Sequence, residues 1–151
     1  MGQYWKAVNL EKKEYLDPYA LGAGAKLWEQ LANPPGIGAA LIILLACMPE
    51  KRGGGDLETN PVVGRWAGDR VTFVGDYSEA GDMLVERSGV PFNEIYEQCT
   101  EGGAFTDISP LVAPIIECEL EGRFKGKDGW KEWVSKDRIP EVVAEILAPA
   151  T

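Results

Sequence analysis

The chain has 151 residues, 45% hydrophobic and 26% charged, with 24 acidic against 15 basic side chains and a net charge of −9. That size and balance suit one globular domain spanning residues 1–151 and argue against disorder. The negative charge disfavours nucleic acid and anionic membranes as general partners, and the absence of histidine excludes Ser-His-Asp and Cys-His catalysis, His-ligated metals and imidazole proton shuttles.

The start, Met1-Gly2-Gln3-Tyr4-Trp5-Lys6, lacks the apolar run of a secretory signal, and Lys6 stands where myristoylation wants Ser or Thr. Residues Tyr4 to Leu10 are β-rich and roughly alternating, Glu11-Lys12-Lys13 is a polar turn, and Glu14-Tyr15-Leu16 returns, which predicts a hairpin. Asp17-Pro18 ends it, since the residue before proline is pushed away from helix. Leu21, Ala25, Trp28, Leu31 and Ala32 recur at helical spacing and predict a helix over 23–32, stopped by Asn33-Pro34-Pro35. Residues 36–48 are almost wholly apolar and read as a second, central helix covered by other elements; a buried strand over Ile42 to Leu45 is the competing expectation. The run is too short to span a bilayer.

A polar, glycine-rich loop covers 49–60. Residues 70–77 form the clearest strand of the middle, preceded by a Gly68-Asp69 turn. Pro91 to Cys99 reads as a short helix with Phe92, Ile95 and Tyr96 on one face. Ser109-Pro110 has the look of a helix start that Pro114 would cut short. Residues 116–121 alternate strictly, as in a half-buried strand with Glu117, Glu119 and Glu121 on its outer face, while the wider stretch 115–124 stays open between strand and helix. Beyond lie a turn at 126–129, the pair Trp130 and Trp133 one helical turn apart, and a last helix over 140–147. A diluted basic stretch runs from Arg123 to Lys131. The fold class expected is α+β, a mostly antiparallel sheet packed against a few helices. Cys47, Cys99 and Cys118 are odd in number and widely spaced, as free thiols of a cytoplasmic protein would be, with Cys47 a small buried hydrophobe.

The densest chemical signal lies between Gly53 and Asp82. Gly55-Asp56, Gly68-Asp69, Gly75-Asp76 and Gly81-Asp82 repeat one pairing. Aspartate offers hard oxygen ligands, so Asp56, Asp69 and Asp76 are candidates to hold Mg²⁺ or Ca²⁺, although the spacing is not that of an EF-hand. The plainer reading is four turns. Arg52-Gly53-Gly54-Gly55-Asp56 would cradle an anion on backbone N–H groups, but it lacks the Gly-Lys-Ser/Thr ending of a phosphate loop. In Arg65-Trp66-Ala67-Gly68-Asp69-Arg70, arginine forks suit phosphate or carboxylate and Trp66 suits a planar group; a core tryptophan beside a structural ion pair is the plainer alternative. Gly36-Ile37-Gly38 before an apolar helix is a faint dinucleotide-like feature, more simply a joint between two helices.

The Met1-Gly2-Gln3-Tyr4 start with Val8-Asn9-Leu10-Glu11-Lys12-Lys13-Glu14-Tyr15, the Arg52-Gly53-Gly54-Gly55-Asp56-Leu57 loop, and Trp66-Ala67-Gly68-Asp69-Arg70 with Val74-Gly75-Asp76-Tyr77 resemble a scattered group of bacterial and phage proteins. The resemblance covers the first half of the chain and implies no catalytic role, since that group brings no established activity. Three expectations for function follow. The first is a binder of a small anionic or nucleotide-like ligand, held by Arg52, Gly53, Gly54, Gly55, Asp56, Arg65 and Arg70, with Trp66 or Tyr77 against its planar part. The second is a divalent-cation-dependent hydrolase using Asp56, Asp69 and Asp76. The third is a structural or self-assembling protein, possible as a homo-oligomer with an exposed tryptophan as its contact.

Overall fold

A computed structural model describes residues 2–32, 36–83 and 88–124. The chain divides into two compact units: unit 1 comprises residues 1–38 and 68–109, and unit 2 comprises 39–67 and 110–151. The architecture is α+β.

Unit 1 is built on a four-stranded sheet in the order β3-β1-β2-β4. Strand β1 (Trp5–Asn9) pairs antiparallel with β2 (Glu14–Leu16) and with β3 (Val71–Gly75). The two-residue β4 (Thr106–Asp107) joins β2 in parallel. The predicted hairpin is therefore present, and the strand expected over 70–77 is β3. Asn9 sets the turn: its Oδ1 accepts the N–H groups of Glu11 (2.9 Å) and Lys12 (2.8 Å), and Lys13 takes the left-handed conformation, φ 54°.

Register fixes what each face of the sheet carries. Val8 lies opposite Tyr15 on one side and Thr72 on the other, and Lys6 lies opposite Val74. Alternation puts Lys6, Val8, Leu10, Tyr15 and Val74 on one face. Helix α3 (Phe92–Gln98) covers that face, and its Phe92 and Ile95 join Val8, Leu10, Tyr15, Val74, Cys99 and Phe105 in one buried cluster. The spacing of Phe92, Ile95 and Tyr96 foretold this packing.

The helix expected over 23–32 is only one turn, α1 (Glu29–Ala32). Ala25 is instead tied to β1: Trp5 N–H donates to Ala25 O at 2.8 Å, and the Gln30 side chain bridges the two through Nε2 to Trp5 O and Ala25 O. Trp28, expected on the apolar face, is exposed because it precedes that single turn.

In chain order α2 (Gly36–Leu45) follows, so the apolar run is a helix rather than a strand. It is not covered on every side, since Ile42 and Leu45 are exposed. Cys47 lies past its end and is also exposed, which corrects the expectation of a buried thiol.

In unit 2, residues 62–67 turn back onto the end of α2: Gly64 N–H donates to Ile43 O and Trp66 N–H to Leu44 O, both at 2.8 Å. Gly64 has φ +81°, and a Cβ there would lie 2.7 Å from Ala46 O, so only glycine fits.

Of the two readings left open for 115–124, the helix is the one present: the stretch is part of α4 (Ser109–Phe124), which continues through Pro114 rather than being cut short by it. Val112, Ile115, Ile116 and Glu119 are buried. Their i, i+3, i+4, i+7 spacing is a helical stripe, and it outweighs six alternating residues. Proline at 114 removes one N–H from the ladder, an isolated loss that the stripe offsets. Glu119 thus turns inward rather than joining an outer acidic face, and its Oε1 accepts Glu58 N–H at 3.4 Å. The turn at 126–129, Trp130, Trp133, the helix over 140–147 and most of the basic stretch lie outside the described residues.

Candidate functional site

The Arg52–Asp56 loop is exposed, but part of its donor capacity is spent locally. Asp56 Oδ2 accepts the N–H groups of Arg52 and Gly53, each at 2.9 Å. Those two bonds hold the Asp56 carboxyl below its usual range. The loop thus carries its own anion where an incoming phosphate would sit. The Arg52 guanidinium is paired with Glu50, Nε to Oε1 at 3.0 Å. Gly54 and Gly55 are open to solvent, Gly55 with φ +91°.

Arg65 and Trp66 also belong to unit 2. Trp66 is fully buried and leaves no ring face for a planar ligand, which is the core-tryptophan alternative. Arg65 is half-buried and engaged with other groups.

Asp69, Arg70, Asp76 and Tyr77 belong to unit 1. Asp69 does not pair with Arg70. Its carboxylate accepts Lys12 Nζ and, at 2.8 Å, Asn9 Nδ2, and these contacts hold it below the usual carboxylate range, the lysine contributing most. Arg70 is exposed, its Nε 4.0 Å from Glu11 Oε1. Asp76 follows the other end of β3, where its Oδ1 accepts Tyr4 N–H at 2.9 Å. Tyr77 is exposed on the turn closed by Ser78 N–H to Gly75 O.

Asp69 and Asp76 thus flank opposite ends of a five-residue strand, on the order of 15–20 Å apart by strand rise, and Asp56 is in the other unit. Each carboxylate already serves a local N–H or ammonium. Among the described residues no group of three acidic or thiol side chains comes together to hold a metal. Within unit 1 the strand holds Asp69 and Asp76 apart, which favours the plainer reading of these Gly-Asp pairs as turns over a shared cation site.

A different place has a site's shape. In unit 1 a half-open hollow of about 500 Å³ is lined by Tyr15, Phe105, Thr100, Thr106, Glu101 and Asp107, with the glycines at 102 and 103 in its wall. The segment from α3 to β4 builds it. Cys99 N–H closes the helix on Ile95 O and Tyr96 O. Gly102 then takes φ +80°, and Gly103 passes so close to Gln98 that a Cβ would lie 2.2 Å from the Gln98 carbonyl oxygen. Gln98 also secures the return, accepting Phe105 N–H on its backbone oxygen and Ala104 N–H on Oε1. Thr106 donates to Lys13 O and Ile108 to Tyr15 O, which stitches the segment to β2.

Behind the hollow, Lys6 Nζ donates to Cys99 O at 2.7 Å and lies over the Tyr96 ring (4.4 Å) and the Tyr15 ring (5.3 Å). A cation here complements the carbonyl end of α3 and both aromatic faces. Burial, reinforced by Asp107, pushes the Tyr15 phenol up to about 12. Burial likewise pushes the Cys99 thiol up to about 12, with Lys6 opposing, so Cys99 is inert packing rather than a nucleophile. The lining holds two carboxylates, and among the described residues no basic side chain lines it. Sequence reasoning passed over residues 100–106; the Glu101-Gly102-Gly103 turn between a helix and a short strand is the signal that marks them.

The chain matches no protein-family model, no curated protein and no solved structure. Among the described residues no helix is long and apolar enough to cross a membrane.

Proposed function

We propose that this is a small-ligand-binding protein whose ligand occupies the hollow between Tyr15 and Asp107. The observation that carries the reading is the hollow itself: about 500 Å³, within the range of small-molecule sites, which is roughly 300–1,000 Å³. Its lining chooses the ligand. Glu101 and Asp107 favour a cationic or hydroxylated molecule, the Thr100 and Thr106 hydroxyls offer hydrogen bonds, and Tyr15 and Phe105 offer apolar contact. This reverses the sign of the ligand expected from the arginine-rich loops.

A second reading keeps the small anionic or nucleotide-like ligand, at Arg52 and Gly53 to Gly55. The open space around Gly54 and Gly55 favours it. A third, self-assembly, is favoured by the exposure of Trp28. We also infer a cytoplasmic protein with free thiols, grouped with the bacterial and phage proteins whose motifs it shares.

Thermal-shift measurements separate these. Ligand in hundredfold excess over Kd stabilises the native state by about 2.7 kcal/mol. The expected result is that spermidine raises Tm and ATP does not. Glu101→Lys removes the rise, while Glu79→Lys, the same charge change outside the hollow, keeps it. A rise with ATP that Arg52→Ala abolishes would move the site to the glycine loop.

A further inference from the structure

Unit 1 presents a second surface that shares no residue with the hollow. On the sheet face that bears Lys6, register places Tyr4 beside Asp76: Asp76 N–H donates to Tyr4 O, and Tyr4 N–H to Asp76 Oδ1, both at 2.9 Å. Extending the β1–β2 register by one pair brings Asp17 to the other flank of Lys6. Tyr96 closes the arrangement from α3, its ring against the Lys6 ammonium. Tyr19 is tied in by its N–H to Asp17 Oδ1 at 3.0 Å. The Tyr96 phenol is raised by burial first, then by Asp76, Tyr19, Cys99 and Asp17, as expected if these groups share its neighbourhood.

This corner leaves large rings in solvent: Tyr4 is 44% exposed, Tyr77 58% and Tyr19 68%. Tyrosine is enriched where proteins dock, because it offers a wide apolar face and a polar tip at small entropic cost. The Lys6 ammonium is spent on Cys99 O and two rings. What remains outward is aromatic surface with the carboxylates of Asp17 and Asp76.

Charge selects the partner. Unit 1 holds six basic against thirteen acidic residues, so a second copy of this chain, or an anionic lipid surface, would bring like charge to like. Guanidinium groups stack on tyrosine rings and fork onto carboxylates, which ammonium groups do less well. We infer that the corner formed by Tyr4, Tyr19, Tyr96, Asp17 and Asp76 docks an extended, arginine-bearing segment of another protein.

The test titrates the full ¹⁵N-labelled chain with a hexapeptide of alternating glycine and arginine, and with its lysine counterpart, at about 150 mM salt, where the screening length is about 8 Å. The expected shifts centre on Tyr4, Tyr19, Asp76 and Tyr96, with the lysine peptide at least ~5-fold weaker. Tyr19→Ala and Asp76→Asn each weaken binding by ~5-fold or more, the range of an interface anchor, while Glu101→Lys leaves it unchanged. Tyr77→Ala, also at an exposed ring, stands in if either variant is misfolded. Shifts scattered over the acidic surface, equal affinity for the two peptides, or no binding would overturn the inference, as would a dimer in sedimentation that buries Tyr19.

Discussion

Asn9 shows how one buried amide organises a corner of unit 1. It is fully buried, and it caps the β1–β2 turn with its oxygen while its Nδ2 holds Asp69. Asp69 in turn binds Lys12, which lies in that turn. The carboxyl is held below its ordinary value, so its contribution to stability is present above the unfolded-state pKa, about 3.9. That contribution is lost as pH falls through the lower folded-state value. Asp69→Asn keeps the shape and removes the charge. The wild type should exceed the variant in stability by about 1 kcal/mol near pH 7, and the gap should narrow and then close as pH falls through the lowered folded-state value; urea denaturation at each pH measures it. A constant gap would mean that the charge is irrelevant. The same attention to environment separates the cysteines. Cys99 is buried with its thiol pushed up to about 12, whereas Cys47 is exposed. In a Cys118→Ser background, a disulfide reagent at pH 8 should modify Cys47 within minutes and Cys99 only on unfolding. Mass spectrometry of the labelled chain reads the outcome.

Glycines divide at the level of elements, and two of them make opposite predictions. Gly38 lies inside α2 with no atom within 4 Å of where a Cβ would be. Alanine there should stabilise the helix by up to ~1 kcal/mol. Gly103 is boxed in by the Gln98 carbonyl oxygen at 2.2 Å. Gly103→Ala should cost roughly 2 kcal/mol or more, in the range of core overpacking, and should also abolish ligand binding in the hollow, because the loop must move to admit the methyl. Thermal unfolding of both variants checks the signs. These glycines also mark where sequence reasoning ran out. The β1–β2 hairpin was legible because its pattern and turn are local: alternation, Asn9 and the polar Glu11-Lys12-Lys13 turn. Helix α3 was legible because Phe92 and Ile95 fall on one face. Helix α4 was ambiguous because two periods compete, and the alternation over 116–121 is more conspicuous than the 112–115–116–119 stripe that packs. The Asp56, Asp69 and Asp76 series looked like a site because proximity in sequence says nothing about whether a strand separates two carboxylates. The hollow went unseen because its carboxylates and hydroxyls sit in the single stretch 100–107, which reads as a plain turn, and only the fold sets Tyr15 of β2 against it.

Charge acts on the molecule as a whole, and here two effects oppose each other. A net charge of −9 repels itself, and unit 1 carries most of the excess. Against this stand exposed ion pairs, Lys12–Asp69, Lys51–Glu58 and Arg52–Glu50. Such pairs are worth about 0–1 kcal/mol each, and salt weakens them too. Screening should nevertheless favour the fold, because the repulsion involves every acidic group and the ion pairs among the described residues only a few. Raising sodium chloride from about 10 to about 150 mM shortens the screening length from about 30 to about 8 Å. A gain on the order of 1 kcal/mol would lift Tm by roughly 2–4 °C in a chain of this length. A fall in Tm would mean that the ion pairs dominate. The cation's identity supplies the sharper comparison. If stabilisation is screening alone, magnesium or calcium chloride at matched ionic strength should do no more than sodium chloride, as expected when Asp56, Asp69 and Asp76 each serve a separate local bond. A millimolar divalent cation that raises Tm well beyond the sodium curve would mean that a metal site exists, and that its ligands include residues other than these three.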